Sequence, residues 1–434
     1  MLLSKELKKP VKNPVKKTKI IFPHLLVCLL FMLLDHSSLA ESEQTLNQAL
    51  VKLVQSERNH YKLPALSVSI LLPGERLPRH YVSGYYTKKM KQKITPNTLF
   101  QVGSITKTFA ATMVLKLVEE HKLNINDKLG RWFPEYPKWK DVTVKELLTH
   151  TSGVYKVIDT KNFWQHLKVN PKQYWSLQEL ANLAYLYPDY FKAGQGYNYA
   201  NTDYILLGMI IEKVTHQPIS QVFREYLLSL EKFGLKNTYY TASGYPKTVI
   251  SRVAHGYDDE GTFGYGVDVT NVSTSFSGSA GAIVSTPDDI ILFLKQLFAG
   301  KILSAHLLKL MQTLTSEKTG QPISIQQALI NHQNTKESWF DLGEGMGMGL
   351  VYFKDYGFVW MHAGGMPGYQ SAYTYNPCKG IYVVLMYNKQ PKENLVFVKI
   401  TQAIVKTLDS SDLVNSKIKH YQAMNALSWF CNKE

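Results

Sequence analysis

Cysteine is scarce in this chain: three residues in 434, with only Cys378 and Cys431 beyond residue 40. Two cysteines cannot build a disulfide-stapled scaffold. Charged residues are also few, at 19% against 45% hydrophobic residues, which excludes a disordered or coiled-coil protein. No His-Glu-x-x-His occurs and the histidines are scattered, so no metal centre is implied. There is no Gly-x-Ser-x-Gly elbow, no internal repeat and no low-complexity segment. Helix-turn-helix, zinc-finger and RNA-binding signatures are missing, which argues against nucleic acid as a partner despite a net charge of +15. Beyond residue 40 no apolar run is long enough to cross a bilayer.

What the chain does have is length enough for a large core, and a distinctive N-terminus. Seven lysines between residues 5 and 19 precede an apolar run, Ile20–Leu34, followed by Ser38 and Ala40 at positions suited to cleavage. This predicts a secretory signal over residues 1–40 and an exported protein, periplasmic or secreted. The 15-residue run is short for a span, which needs about 20 residues. An uncleaved membrane tether through 20–34 is the alternative. Cys28 lies inside the apolar run and does not read as a lipoprotein cysteine. The remaining residues carry a net charge of +10, which favours anionic envelope polymers or lipid headgroups. Export permits one bridge between Cys378 and Cys431, and two free thiols are equally compatible with the sequence.

Residues 41–60 carry Leu46, Leu50, Leu53 and Val54 at helical spacing. Ala65–Leu72 and Arg79–Tyr85 read as strands, and residues 104–121 as a helix. The centre, 106–284, is mostly helical, with one helix over Leu206–Val214. Thr286-Pro287-Asp288-Asp289 starts another, with Thr286 as N-cap and Asp289 as capping-box partner. Met348–Phe353, Gly357–Met361, Tyr369–Tyr375 and Ile381–Tyr387 are short β-branched and aromatic segments joined by turns, hence antiparallel strands. Pro391–Leu408 closes as a helix, and 411–434 shows no strong pattern and reads as a tail. The fold class is therefore α+β. A helix-flanked antiparallel sheet is built from both chain ends (41–105 and 285–410), with a mostly helical insert (106–284).

Three constellations can carry chemistry. Ser104-Ile-Thr-Lys107 follows a strand-like segment and opens a helix, so both side chains share a face. A neutral lysine can deprotonate the serine, and the helix N-terminus offers N–H groups to an oxyanion. Tyr199-Ala-Asn201 precedes the helix at 206–214, where the phenol could relay a proton and the amide could orient a carbonyl or the lysine. Its plain alternative is a packed tyrosine with an Asx-type cap at Asn201. His362-Ala-Gly364-Gly365 lies between two expected strands, where glycines let a substrate lie against a strand edge. The imidazole there could bind an anion or pass a proton. A literal Lys318-Thr-Gly320 has no strand pattern before it and is set aside. Gly343-x-Gly-x-Gly-x-Gly349 lacks a βαβ context and is no nucleotide loop, so no cofactor is implied. His150, in Leu-Thr-His-Thr-Ser-Gly, reads as a structural loop anchor.

In this order and spacing the three motifs resemble the serine β-lactamase-like superfamily of class C β-lactamases, D-alanyl-D-alanine carboxypeptidases and related esterases. Leu147–Gly153, Gly278–Asp289 and Leu385–Lys389 resemble it as well, and the likeness spans roughly residues 45–408. The resemblance implies that Ser104 is acylated, with Lys107 or Tyr199 as base, and that Asn201 positions the substrate amide. It also implies an oxyanion hole from the N–H groups of Ser104 and Gly365, with His362 and Gly364 at the substrate. Class C β-lactamases have lysine where this chain has His362, which points to D-Ala-D-Ala-type peptides, or to related amides and esters, over efficient β-lactam hydrolysis, with a β-lactamase-like esterase or a weak class C-type β-lactamase as the runner-up. Peptidoglycan fragments are the expected partners. A non-catalytic envelope protein that binds them is the alternative from another class.

Overall fold

The computed structural model describes residues 22–424 and Cys431, apart from Met90, Glu260, Lys392 and Asn394. The basic segment expected to lead an export signal lies outside the described residues. From Phe22 the chain is helical as far as His60. The chain divides into two units, 1–45 and 46–434, and the second contains the sheet and the site. Among the described residues no helix is long and apolar enough to cross a membrane.

The first strands are β1 (Ala65–Leu71) and β2 (Arg79–Gly84), followed by β3 (Phe100–Gln101) and a helix over Thr106–Glu119. Helices dominate the centre, including Val144–Leu148 and Asn201–Thr215, with a short β4 (Tyr239–Tyr240) and β5 (Ile283–Ser285). After the helix Pro287–Phe298 come β6 (Trp339–Glu344), β7 (Gly349–Phe353), β8 (Gly357–Met366), β9 (Tyr369–Asn376) and β10 (Ile381–Tyr387). Two helices, Val396–Asp409 and Asp412–Met424, follow.

The large sheet has the order β2-β1-β10-β9-β8-β7-β6, so the first and last strands of the chain pair inside it, one strand in from the β2 edge. Their antiparallel register sets Leu66 opposite Tyr387 and Ile70 opposite Val383. Every residue of β1 and β10 is buried because both faces of the sheet are covered. Along β10, Tyr382, Val384 and Met386 join the core shared with the helical region. Ile381, Val383, Leu385 and Tyr387 join a second core with Leu46, Leu50 and Val54 of the first helix. The period of two in the pleat thus divides one apolar strand between two cores. Each such side chain contributes on the order of 1.5–3 kcal/mol by leaving water. A second, small sheet, β3-β5-β4, sits at the start of the helix Thr106–Glu119.

Three local readings differ from the structure. β8 does not stop at Met361 but runs on to Met366, so His362–Gly365 lie inside a strand and not in a turn. Pairing with β9, Ala363 opposite Ala372 and Gly364 opposite Ser371, overrides the turn preference of the glycines. Asp289 is not a capping-box partner: Thr286 caps through its hydroxyl, while the Asp289 carboxylate accepts from the N–H of Asn237 and the hydroxyl of Thr238. Residues 412–424, read as a tail, form a helix that buries Val414 and Ile418, one turn apart.

Cys431 is bonded to Cys378 in the turn between β9 and β10, a separation of 53 residues. Closing a loop of that size restricts the unfolded chain and stabilises the fold by about 2–4 kcal/mol. Cys431→Ser is therefore expected to lower the urea midpoint, with the difference from wild type vanishing under reducing conditions. A midpoint unchanged in oxidising buffer would contradict the contribution.

Candidate active site

Ser104 sits on a single 3-10 turn, Gly103–Ile105, between β3 and the helix that begins at Thr106. The turn is held from several sides. The N–H of Val102 donates to the carbonyl of Ile283 (3.0 Å), and the hydroxyl of Ser371 on β9 donates to the carbonyl of Val102 (2.7 Å). One turn further along, the Thr108 hydroxyl donates to the carbonyl of Gly347 at 2.7 Å. Gly103 has φ +51°, and a methyl on Gly364 would come within 1.9 Å of the Val102 oxygen and 2.8 Å of the Ser104 nitrogen. Residues 102–104 and 364–365 are therefore packed backbone against backbone, which only glycine at 364 permits. Ser104 and Gly365 line the same cleft, and their N–H groups are the candidate oxyanion donors.

Lys107, three residues after Ser104, is completely buried. Its Nζ lies 3.0 Å from Ser104 Oγ, 2.8 Å from Asn201 Oδ1 and 3.1 Å from the Ala280 carbonyl oxygen. Burial lowers its pKa to about 7, against the opposing influence of Glu344 and Asp203. A neutral amine has two N–H bonds and one lone pair. With Asn201 and Ala280 accepting the two N–H bonds, the lone pair is left for the serine O–H.

Asn201 is the first residue of its helix, and Ala200 occupies the N-cap without a side-chain bond. The Asx-type cap considered from sequence is not made, and the amide oxygen goes to Lys107 instead. Burial pushes the pKa of Tyr199 up, against the opposing influence of Ser104, so it holds its proton. Lys107 Nζ lies 4.8 Å from the centre of the Tyr199 ring. Ser104, Lys107, Tyr199 and Asn201 are thus brought into one cluster by two segments some ninety residues apart in sequence.

His362 is adjacent but sealed. It is 8% exposed, with its ring centre 6.2 Å from that of Tyr199. Its Nδ1 lies 2.6 Å from the carbonyl oxygen of Ala363, which can only accept, so Nδ1 carries the proton. Burial, then Lys107, lowers its pKa to about 4. Nε2 has no hydrogen-bond partner among the described residues. A neutral ring with an acceptor nitrogen is not an anion site. Lys318, set aside from sequence, lines a different cavity together with Glu317 and Asp341.

The cleft over Ser104 encloses about 320 Å³. Ile158, Trp164, Phe263, Phe276, Met366 and Pro367 give it an apolar wall, facing Asn201, Ser277 and Gln390. No described residue lining it is a lysine or arginine. Asp258 at its edge is engaged by the N–H groups of Gly261, Phe263 and Gly264. The apolar wall and the Ala280 carbonyl escaped sequence reasoning. A backbone oxygen has no residue signature, and Trp164 and Phe276 stand in no motif that marks them.

The sheet, the helical region and a Ser-x-x-Lys serine beside a Tyr-x-Asn turn define the β-lactamase/transpeptidase class of fold. The chain belongs to the Beta-lactamase family, whose model matches residues 48–405. It is 31% identical to a β-lactamase of Lysobacter lactamgenus over 48% of this chain and 50% of that protein. It is 26% identical to Penicillin-binding protein 4* of Bacillus subtilis (strain 168) over 67% and 61% of the two chains. The chain spans about half to three-fifths of the length of these curated relatives. Among solved structures, D-amino acid amidase from Ochrobactrum anthropi SV3, complexed with L-phenylalanine amide, superposes with a TM-score of 0.67. That match has 26% identity and covers 87% of this chain and 99% of the amidase. A class C β-lactamase mutant shares the fold with a TM-score of 0.61 at 21% identity.

Gly364→Ala is expected to reduce kcat/KM by about a hundredfold, the scale of losing one oxyanion donor. The added methyl must displace the Ser104 turn. Activity within threefold of wild type, measured on any turned-over ester, would contradict the backbone contact.

Proposed function

We propose that the protein is a serine hydrolase that works through an acyl-enzyme on uncharged amides and esters of amino acids or short peptides. The observation that carries the chemistry is the three-acceptor setting of Lys107, which leaves its lone pair to Ser104. Neutral Lys107 takes the Ser104 proton while Oγ bonds to the substrate carbonyl carbon. The carbonyl oxygen becomes an oxyanion facing the N–H groups of Ser104 and Gly365. Collapse breaks the bond to the leaving group, which receives a proton from the Lys107 ammonium directly or through the Tyr199 hydroxyl. Water then attacks the acyl-enzyme with the same base and oxyanion donors, restoring Ser104 and releasing the acid. The raised pKa of Tyr199 favours Lys107 as the base and the phenol as relay.

The cleft supports an uncharged substrate. A terminal carboxylate calls for a cation, and the described lining contains no lysine or arginine while Lys107 is sealed beneath. The apolar wall suits a bulky side chain, in keeping with the amidase relative crystallised with a phenylalanine amide. Hydrolysis of D-Ala-D-Ala-type peptides is the second reading, favoured by the similarity to a penicillin-binding protein. Export is part of the proposal: the Cys378–Cys431 bridge suits an oxidising compartment.

Ser104→Ala is expected to reduce hydrolysis of D-phenylalanine amide and of a phenylalanine ester to background, and to abolish labelling by a serine-directed phosphonate. Persistent turnover by the alanine variant would refute the mechanism. Addition of a terminal carboxylate to the leaving group should lower kcat/KM about tenfold or more, equivalent to about 1.4 kcal/mol. A carboxylate-bearing substrate that is preferred would establish the second reading.

The sign of the pH dependence follows from Lys107. Its ammonium is inactive as a base, so kcat/KM in the wild type should rise with pH through about 7 as the proton leaves. Lys107→Arg, always protonated, should be as inactive as Lys107→Ala. An active arginine variant would remove Lys107 from the role.

A further inference from the structure

The mechanism leaves His150 without a role, although it lies completely buried against Tyr199. It follows the short helix Val144–Leu148 in a left-handed backbone conformation, φ +58°. Its carbonyl accepts the N–H of Asn198 at 3.0 Å. Its ring centre is 4.4 Å from that of Tyr199 and 5.3 Å from that of Tyr204. Nδ1 lies 2.7 Å from Oδ2 of Asp203 and 3.3 Å from the nitrogen of Ala200. Oδ1 of Asp203 accepts from the hydroxyl of Ser152, whose oxygen in turn accepts the N–H of Val154 at 3.1 Å. His150 and Asp203 are 0% exposed and Ser152 is 3% exposed.

The contact with Ala200 selects one arrangement of protons, in which the ring proton sits on Nε2, an atom with no hydrogen-bond partner among the described residues. A backbone N–H can only donate, so the Nδ1 that meets Ala200 presents its lone pair. The proton in the contact with Asp203 then belongs to the carboxyl group. Burial acts in the same sense, raising the Asp203 pKa and lowering that of His150. The carboxyl group donates through one oxygen and accepts from Ser152 through the other. An ion pair here would place two full charges in a dry site.

We propose that His150, Asp203 and Ser152 form a neutral positioning triad that sets the Tyr199–Asn201 turn against Ser104 and Lys107. This rests on the acyl-enzyme reading above. The triad holds the turn at Asn198, at Ala200 and at Asp203, bracketing both functional side chains. Its ring also backs Tyr199. Release of these ties would shift Asn201 from the 2.8 Å contact with Lys107, and small displacements at reacting groups cost orders of magnitude in rate.

The test uses the full chain carrying Asp203→Asn, Asp203→Leu or Ser152→Ala, with cooperative thermal unfolding as the check of folding. It reads kcat and KM on a phenylalanine ester and the rate at which a fluorophosphonate labels Ser104. An asparagine amide N–H replaces the carboxyl O–H and its oxygen still accepts from Ser152, so Asp203→Asn should stay within about threefold of wild type. Asp203→Leu should lower kcat and the labelling rate about thirtyfold or more while KM changes less than about threefold. Ser152→Ala should lower kcat roughly three- to tenfold, again with little change in KM. Asparagine as inactive as leucine, both folded, would overturn the neutral triad in favour of a charge. Wild-type kcat in both Asp203→Leu and Ser152→Ala, or a loss confined to KM, would overturn positioning. If Asp203→Leu does not fold, Asp203→Asn and Ser152→Ala decide by the same criteria. A wild-type protein that fails to label at all would overturn the acyl-enzyme reading, and the triad with it.

Discussion

A lysine with no access to water is the constraint on which the rest of the site depends. An ammonium without solvent is costly unless its hydrogen bonds are met or its proton is lost. Three acceptors from three separate segments surround Lys107 Nζ: the serine, the Asn201 amide and the Ala280 carbonyl. That geometry serves both protonation states. The charged form has an acceptor for each N–H, and the neutral form has two acceptors and one O–H to receive. A base with such a setting can cycle without moving its neighbours.

The setting exists because the backbones come unusually close. The Ser104 turn can lie against β8 only because residue 364 has no side chain, and the 345–349 turn approaches the same helix at Gly347, where a methyl would sit 2.7 Å from the Lys107 carbonyl oxygen. The sheet thereby supplies one wall of the cleft and the helical region the other. β10, paired with β1 and lying beside the site-bearing β9, is buried on both faces and backs that wall. Sheet and site are linked by hydrogen bonds as well, through Ser371 and Thr108.

The parts of this arrangement that were legible in the sequence were those with side-chain chemistry or a clear period. Ser104, Lys107, Tyr199 and Asn201 could be picked out because Ser-x-x-Lys and Tyr-x-Asn, each weak alone, stand with His-x-Gly in the order of a known superfamily. β10 could be read from an unbroken apolar run, and β1 from an apolar segment broken only by Ser67 and Ser69. The extension of β8 through His362–Gly365 could not, because it depends on a ladder with β9 and not on local preference. Asp289 follows the same logic: its place three residues after Thr286 fits a capping box, yet Asn237 and Thr238, some fifty residues away in sequence, take its carboxylate. The last helix, Asp412–Met424, was missed because two buried residues one turn apart, Val414 and Ile418, are too short a stripe to register as a period.

The titratable groups around Lys107 share one direction, toward their neutral forms. Burial lowers Lys107, His150 and His362, and raises Asp203 and Glu344. A site assembled this way holds little fixed charge before reaction. In the proposed mechanism, attack by Ser104 creates an oxyanion and a lysine ammonium together, and each is the nearest counter-charge of the other. In a dry cleft that attraction is stronger than in water, and it is absent from the ground state. A permanent cation in the third motif would add a pre-existing field and attract a substrate carboxylate. The neutral His362 in that place adds neither, so under the proposed mechanism the reacting pair supplies its own electrostatics, and selectivity is left to the apolar wall of Trp164, Phe263 and Phe276.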